Sequence, residues 1–371
     1  PDAAISRFAD AVAITEADGA EPLRMAAALN NYANALTAAG RYGEARSALA
    51  HAVELLEGVL GPEHPMLAGN LSNIGFIAER QGELDDARGF LERAVAISEA
   101  GLGEDNPGLY EALNNLAVFH FAIGDLDRAE QLFTRTLTLA ERHLGSEHAS
   151  LGRVIGNLAL CASERGDPAG ALVLYDRALA LQQRALGEDH VDVALTLNNR
   201  GSALRRLGRF AEARDSYDRA LEIRTTRLGE DHPDLATTVD NLGLLARAEG
   251  NPSAAVALHG RALAIWTKVH GERHEKIARV LTELGAAFGE LDEHARARGL
   301  LERAHAIYGE LPGTDPTAIA ENQLALAAEL GDDPERARAL ARAALDTYER
   351  AGSGHVNDRD DARALLERIG G

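Results

Sequence analysis

Apolar residues of this chain fall into two alternating helical stripes. From Pro65 onward, Leu67, Leu71, Ile74, Gly75 and Ala78 keep the spacing of one helical face and predict an A helix over about 66–80. Gly82 ends it, as a residue placed to take the left-handed conformation that strains any side chain. Leu84, Ala87, Phe90, Leu91, Ala94, Ile97 and Ser98 then mark a B helix over about 84–101. A Gly-Glu-Asp-Asn-Pro loop from Gly103 follows. Its glycine stops the B helix, the residue before proline is pushed out of the helical region, and proline suits the first turn of the next helix.

This hairpin recurs. The loop glycine stands at Gly61, Gly103, Gly145, Gly187, Gly229, Gly271 and Gly313, a constant spacing of 42. Ala45, Ala87, Ala129, Ala171, Ala213, Ala255 and Ala297 form an alanine column, and Ala33, Gly75, Ala117, Ala159, Gly201, Gly243 and Gly285 a small one. Gly40, Gly82, Gly124, Gly166, Gly208 and Gly250 close the A helices, with Asp292 in that place in the last full unit. Small residues let A and B helices approach closely. A hairpin cannot bury its apolar face alone, so neighbours must stack on it. The expected fold is all-α, an α-solenoid in which the hairpins wind into a right-handed superhelix.

Residues 1–19 read as a B helix without its A helix, because Ala4, Phe8, Ala11, Val12 and Ile14 match Ala45, Leu49, Ala52, Val53 and Leu55. The chain is therefore expected to begin inside a longer protein. Residues 20–352 read as seven to eight hairpins. Residues 353–371 read as a capping helix with Ala362, Leu365, Leu366 and Ile369 on one stripe. No apolar run approaches the roughly 18 residues needed to span a bilayer, and no signal peptide is visible. Cys161, the single cysteine, sits in the apolar column of Ile77 and Phe119. It reads as a small buried hydrophobe, with a reactive thiol as the alternative. A chain that cannot form an internal disulfide suits a reducing, cytoplasmic compartment.

The hairpin, with its small columns and phrases such as LNNLAVFHFAIGDLDRAEQLF from Leu113 and LGEDHP from Leu228, resembles the tetratricopeptide repeat in the longer 42-residue form of kinesin light chains. The tryptophan and tyrosine of the shorter repeat are mostly leucine and alanine here. A second resemblance, carried by ERARALARAALDTYERAG from Glu335, is to repeat regions that follow bacterial serine/threonine kinases. The first implies a concave groove lined by A helices that binds an extended peptide or protein.

By that resemblance the groove presents Asn31, Asn73, Asn115, Asn157, Asn199 and Asn241, a column that ends at Glu283. Asparagine is a poor residue in mid-helix, so six in register need a reason. The amides either hold the backbone of an extended ligand or bridge neighbouring helices. Phe76, Val118, Phe121 and Leu160 would line the first half of the groove, and Arg153, Arg205, Arg206, Arg247 and Arg279 the second. An arginine stripe on a chain of net charge −20 suggests an acidic or phosphorylated partner. The alternative is pairing with Glu164, Glu249 and similar neighbours. Arg200 stands in a column of leucine, isoleucine and tyrosine, so it must snorkel or find a partner.

His64, His148, His190, His232 and His274 recur in the loops. Successive loops lie two helix widths apart, roughly 20 Å, too far to share one metal ion. They are expected to cap the following turn. No phosphate loop or catalytic motif is visible, and the negative charge argues against nucleic acid. The expected function is a non-enzymatic peptide- or protein-binding scaffold without cofactor, part of a larger signalling protein. The alternative is an assembly module that self-associates through its first helix.

Overall fold

The computed structural model describes residues 2–17, 21–311, 313–351 and 356–370. The domain boundaries expected near residues 19 and 353 fall outside them. Among the described residues there are eighteen helices and no strand. The helix predicted over 66–80 is Leu67–Arg80, and that over 84–101 is Leu84–Leu102.

The chain divides into two compact units, residues 1–161 and 162–371. The first contains α1 (Asp2–Ala17), α2 (Pro22–Ala38), α3 (Tyr42–Leu60), α4 (Leu67–Arg80), α5 (Leu84–Leu102), α6 (Leu109–Ala122) and α7 (Leu126–Leu144). The division falls within α8 (Leu151–Glu164). The second contains α9 (Pro168–Leu186), α10 (Val191–Arg206), α11 (Phe210–Leu228), α12 (Pro233–Ala248), α13 (Pro252–His270), α14 (Glu275–Gly289), α15 (His294–Glu310), α16 (Pro316–Ala328), α17 (Pro334–Ala351) and α18 (Val356–Gly370).

Within each unit A helices pack on their own B helices, as α4 on α5 or α12 on α13, and B helices pack on the next A helix, as α3 on α4 or α13 on α14. A helices also touch one another, α4 with α6 and α10, α12, α14 and α16 in succession. They form one layer in each unit, and that layer carries the asparagine column.

The small columns lie where the helices come closest. All seven residues of the alanine column are fully buried. A methyl group added at Gly243 would sit 2.6 Å from the His259 ring, and one at Gly285 2.5 Å from Leu301. Where the A helix carries glycine, the facing B helix fills the space with Leu91, Tyr217, His259 or Leu301. The A helices end as the sequence demands, with Gly40 at φ 74° and Arg41 donating its N–H back to the Leu36 carbonyl at 2.9 Å. Asp292 takes the same left-handed conformation, φ 58°, and is the one non-glycine residue with positive φ among those described.

Apolar cores run through both units, one around Leu49, Leu71 and Ile97, another around Val239, Trp266 and Leu281. Cys161 is buried in the core of the first unit. In the second unit, α18 lays Leu365, Leu366 and Ile369 against the cluster of Leu326, Leu330 and Ala341. Along the B helices a repeated ion pair joins neighbours, Arg93 to Glu57 at 2.6 Å and Arg135 to Glu99 at 2.5 Å. Such partly exposed pairs contribute little individually, about 0–1 kcal/mol.

Candidate functional site

In the first unit the A-helix layer exposes side chains that would ordinarily be buried. Phe76 is 39% exposed and Val118 40%, while Phe121 and Leu160 are half-buried. The Arg80 guanidinium lies over the Phe76 ring, 5.1 Å from its centroid. Asn73 donates to Asn30 Oδ1 at 3.0 Å and to Asn34 Oδ1 at 3.2 Å. In the second unit Asn241 donates to Asn198 Oδ1 at 3.0 Å, and Asn198 donates to Asn199 at 3.2 Å. At these positions the amides bridge neighbouring A helices or neighbouring residues. Asn31 is exposed, whereas Asn115 and Asn157 are half-buried.

Four of the five predicted arginines come together in the second unit. Arg205, Arg206, Arg247 and Arg279 line one depression of about 520 Å³ with Glu283, Glu290 and Glu321. They are not equivalent. Arg247 is gripped by Glu283 and by Glu290, the latter at 2.7 Å, and these carboxylates hold its guanidinium further above its ordinary pKa than burial lowers it. Arg279 lies 3.1 Å from Asp240 Oδ2 and over the Trp266 ring. Arg206 donates to the Ser163 carbonyl at 2.8 Å. Neither Arg205 nor Arg206 pairs with a carboxylate among the described residues, and the buried Arg205 Nε has no hydrogen-bond partner. Arg153, expected in the same stripe, is exposed on α8 in the first unit, outside that depression. Glu249, considered as a partner for the stripe, pairs instead with Arg214.

Glu321 adjoins this cluster and lines a second depression of about 720 Å³ with Tyr348 and the α18 residues Asp358 and Asp361. Although exposed, Glu321 is walled by the depression, and desolvation, then Glu283 and Asp358, push its carboxyl from 4.5 to about 7, against the pull of Arg279. A carboxyl raised in the folded state contributes stability that is present below its unfolded value and is lost as pH rises through the folded one. Glu321→Gln should therefore raise the thermal midpoint at pH 8 and barely change it near pH 4.5. The effect should be small, because water screens an exposed carboxylate. A midpoint difference that does not change with pH would rule out this account.

Sequence reasoning missed a buried polar triad. Asp240 and His259 are fully buried, with Asp240 Oδ1 2.7 Å from His259 Nδ1, and Arg279 closes on the other carboxylate oxygen. The signal was present: Asp240 replaces Asn30, Asn114 and Asn198 of its column, and His259 replaces Leu49, Leu91 and Leu301 of its own. Arg200, which the sequence did flag, donates to Asp176 and to Ser216 Oγ, both at 2.7 Å. The loop histidines act as expected. His190 and His232 accept from the backbone N–H two residues on, at 3.1 and 3.2 Å.

Paired helices with buried small columns and an A-helix layer carrying exposed apolar and arginine side chains define an α-solenoid repeat protein. The tetratricopeptide repeat model matches residues 24–100, 108–184, 150–226, 192–265 and 239–310, well over half of the sequence. The chain belongs to the tetratricopeptide repeat family. Among solved structures, BtubC (BKLC) from P. vanneervenii is similar at 26% identity over 61% of this chain and 94% of its own, with a TM-score of 0.51. A Rap protein complexed with Competence and Sporulation Factor is 13% identical over 93% of this chain and 96% of that one, with a TM-score of 0.59. The Cut9–Hcn1 hetero-tetramer of APC/C gives 14% identity over 92% of this chain and 55% of that one, with a TM-score of 0.57. These last two share the fold alone. No curated protein matches the sequence. Among the described residues no helix is long and apolar enough to cross a membrane.

Proposed function

We propose that this chain is a protein-interaction scaffold whose A-helix layer holds an extended segment of a partner, with acidic or phosphorylated residues of that segment seated on Arg205 and Arg206. The observation that carries this reading is the division among the clustered arginines. Arg247 and Arg279 are neutralised from within, whereas Arg205 and Arg206 have no carboxylate partner among the described residues and Arg205 keeps a buried, unbonded Nε. A buried unpaired donor is costly in a folded protein, and an incoming carboxylate or phosphate would satisfy it. Proteins of this fold occur in complexes, as in the Rap protein with Competence and Sporulation Factor. Phe76 and Val118 would take apolar residues of a partner in the first unit.

A peptide array should yield binders enriched in aspartate, glutamate or phosphoserine. Arg205→Ala with Arg206→Ala should remove that enrichment, and added salt should weaken binding because part of the attraction is between exposed charges. Arg153→Ala should have no effect. Binders indifferent to the Arg205/Arg206 pair would place the site elsewhere.

A second reading, self-assembly, has one observation in its favour. Phe8 is 38% exposed and Ile14 59% exposed on α1. Light scattering should then show a mass that rises with concentration and falls back in Phe8→Asp. A constant monomer mass would exclude it.

A further inference from the structure

At the loop edge of the A-helix layer in the first unit lies a depression of about 430 Å³, between the start of α4, the end of α5 and the start of α6. Asn70, Asn73, Asn115 and Glu111 form its polar wall, and Met66 and Leu102 lie at its edge, 55% and 39% exposed. Asn70 is only 7% exposed, and its Oδ1 has no hydrogen-bond partner. Such an orphaned acceptor needs an explanation.

Comparison between repeats shows that the scaffold does not answer it. Thr196 and Thr238 occupy the position of Asn70 in later repeats. Each meets a polar side chain fourteen residues earlier, on the preceding B helix. Thr196 donates to Gln182 Oε1 at 2.7 Å, and Arg224 donates to Thr238 Oγ1 at 2.6 Å. The corresponding residue for Asn70 is Leu56, a buried hydrocarbon. Ala112 and Val154 hold the same position in the next two repeats, so an amide is not required for packing.

Asn30, Ser72 and Asn115 also line the depression and can donate as well as accept, but three groups in it are uncommitted acceptors: Asn70 Oδ1, Asn73 Oδ1 and the Glu111 carboxylate. Asn73 commits its Nδ2 to Asn30 and Asn34, which leaves its Oδ1. Glu111 is exposed and makes no ion pair among the described residues. Acceptors, one negative charge and an apolar rim together match a basic side chain, whose alkyl stem lies on hydrocarbon while its head donates. We propose that this depression receives an arginine side chain of the partner segment. Arginine fits better than lysine, because a planar head with five donors can serve Asn70, Asn73 and Glu111 together. The proposal rests on the scaffold reading but uses the other unit and the opposite charge from the Arg205 site.

The test is titration of the whole chain with acetyl-Gly-Arg-Gly-amide and with its neutral citrulline counterpart, followed by NMR of the asparagine side-chain amides. The arginine peptide should shift the Asn70 and Asn73 amides, and the citrulline peptide should bind about tenfold more weakly, having lost the charge-assisted contacts. Asn70→Leu should abolish the shift at Asn73 while keeping or raising the thermal midpoint. Glu111→Gln should weaken binding with the midpoint unchanged. Absence of any shift at millimolar peptide, equal binding of the citrulline peptide, or a lowered midpoint in Asn70→Leu with binding intact would each overturn the proposal. An acidic peptide titrated into the same sample separates the two readings. Loss of the arginine response alone refutes this site, whereas failure of both peptides refutes the scaffold reading.

Discussion

Asp240→Ala should destabilise the second unit by about 1–3 kcal/mol, because it leaves the buried His259 imidazole without its hydrogen-bond partner. His259 is fully buried on α13 and meets Asp240 at 2.7 Å, and Arg279 reaches the same carboxylate from α14. Without Asp240, the imidazole loses its partner at Nδ1 inside the core, where its Nε2 already has none. The other repeats indicate how the loss can be repaired. Two of them place leucine opposite the small-column glycine, as Leu91 faces Gly75 and Leu301 faces Gly285, and the column of Asp240 is otherwise uncharged, with Ser72 and Thr282 in those two repeats and asparagine at Asn30, Asn114 and Asn198. Asp240→Asn combined with His259→Leu should therefore recover to within about 1.5 kcal/mol of the parent. Arg279 can turn to water in that double variant, since it is already 39% exposed. Denaturant melts of the single and double variants close the cycle. Hydrogen exchange in α12, α13 and α14 would show whether the loss is confined to that part of the array, as expected when repeats interact mainly with their neighbours. A single-variant cost below about 1 kcal/mol would mean that the network is not energetically coupled.

Ala171→Leu should cost about 1–3 kcal/mol, whereas Ala169→Leu on the same helix should stay within about 0.5 kcal/mol. Ala171 belongs to the alanine column and is fully buried; Ala169 is exposed. Ala171 is fully buried, so extra carbons there can be accommodated only by displacing the side chains and helices packed around it. The pair shares host helix, propensity change and added volume, so the difference isolates helix approach. Equal thermal midpoints would show that the column does not mark a close contact.

The helix boundaries were legible because each is set by local chemistry. Glycine at the end of the A helix and the Gly-acidic-acidic-His-Pro phrase at the end of the B helix dictate backbone conformation wherever they occur. Gly40 and Asp292 adopt the same left-handed turn although only one is glycine. The candidate site was legible in part. Exposed Phe76 and Val118 and the clustering of Arg205, Arg206, Arg247 and Arg279 follow from one helical column meeting the next. Arg153 does not line that depression and lies on α8 in the first unit, a separation that the shared column of Arg153 and Arg279 does not reveal. Asp240 and His259 went unnoticed because they occupy different columns. Each is a modest departure alone, and only their contact makes them a pair.

The sequence alone determined the period, the hairpin, the turns and the small-residue columns. These depend on φ preferences, side-chain volume and helical spacing within a few residues, and repetition multiplies a weak local signal. Tertiary structure decided which polar groups are satisfied. Arg247 is neutralised by Glu283, 36 residues away, and Asn73 is tied to Asn30, 43 residues away, whereas Arg205 Nε and Asn70 Oδ1 remain without partners. A column places residues on a common face, but charge pairing and hydrogen bonding require atoms within about 3 Å. That proximity is fixed only when helices from successive repeats are packed and their side chains have chosen rotamers.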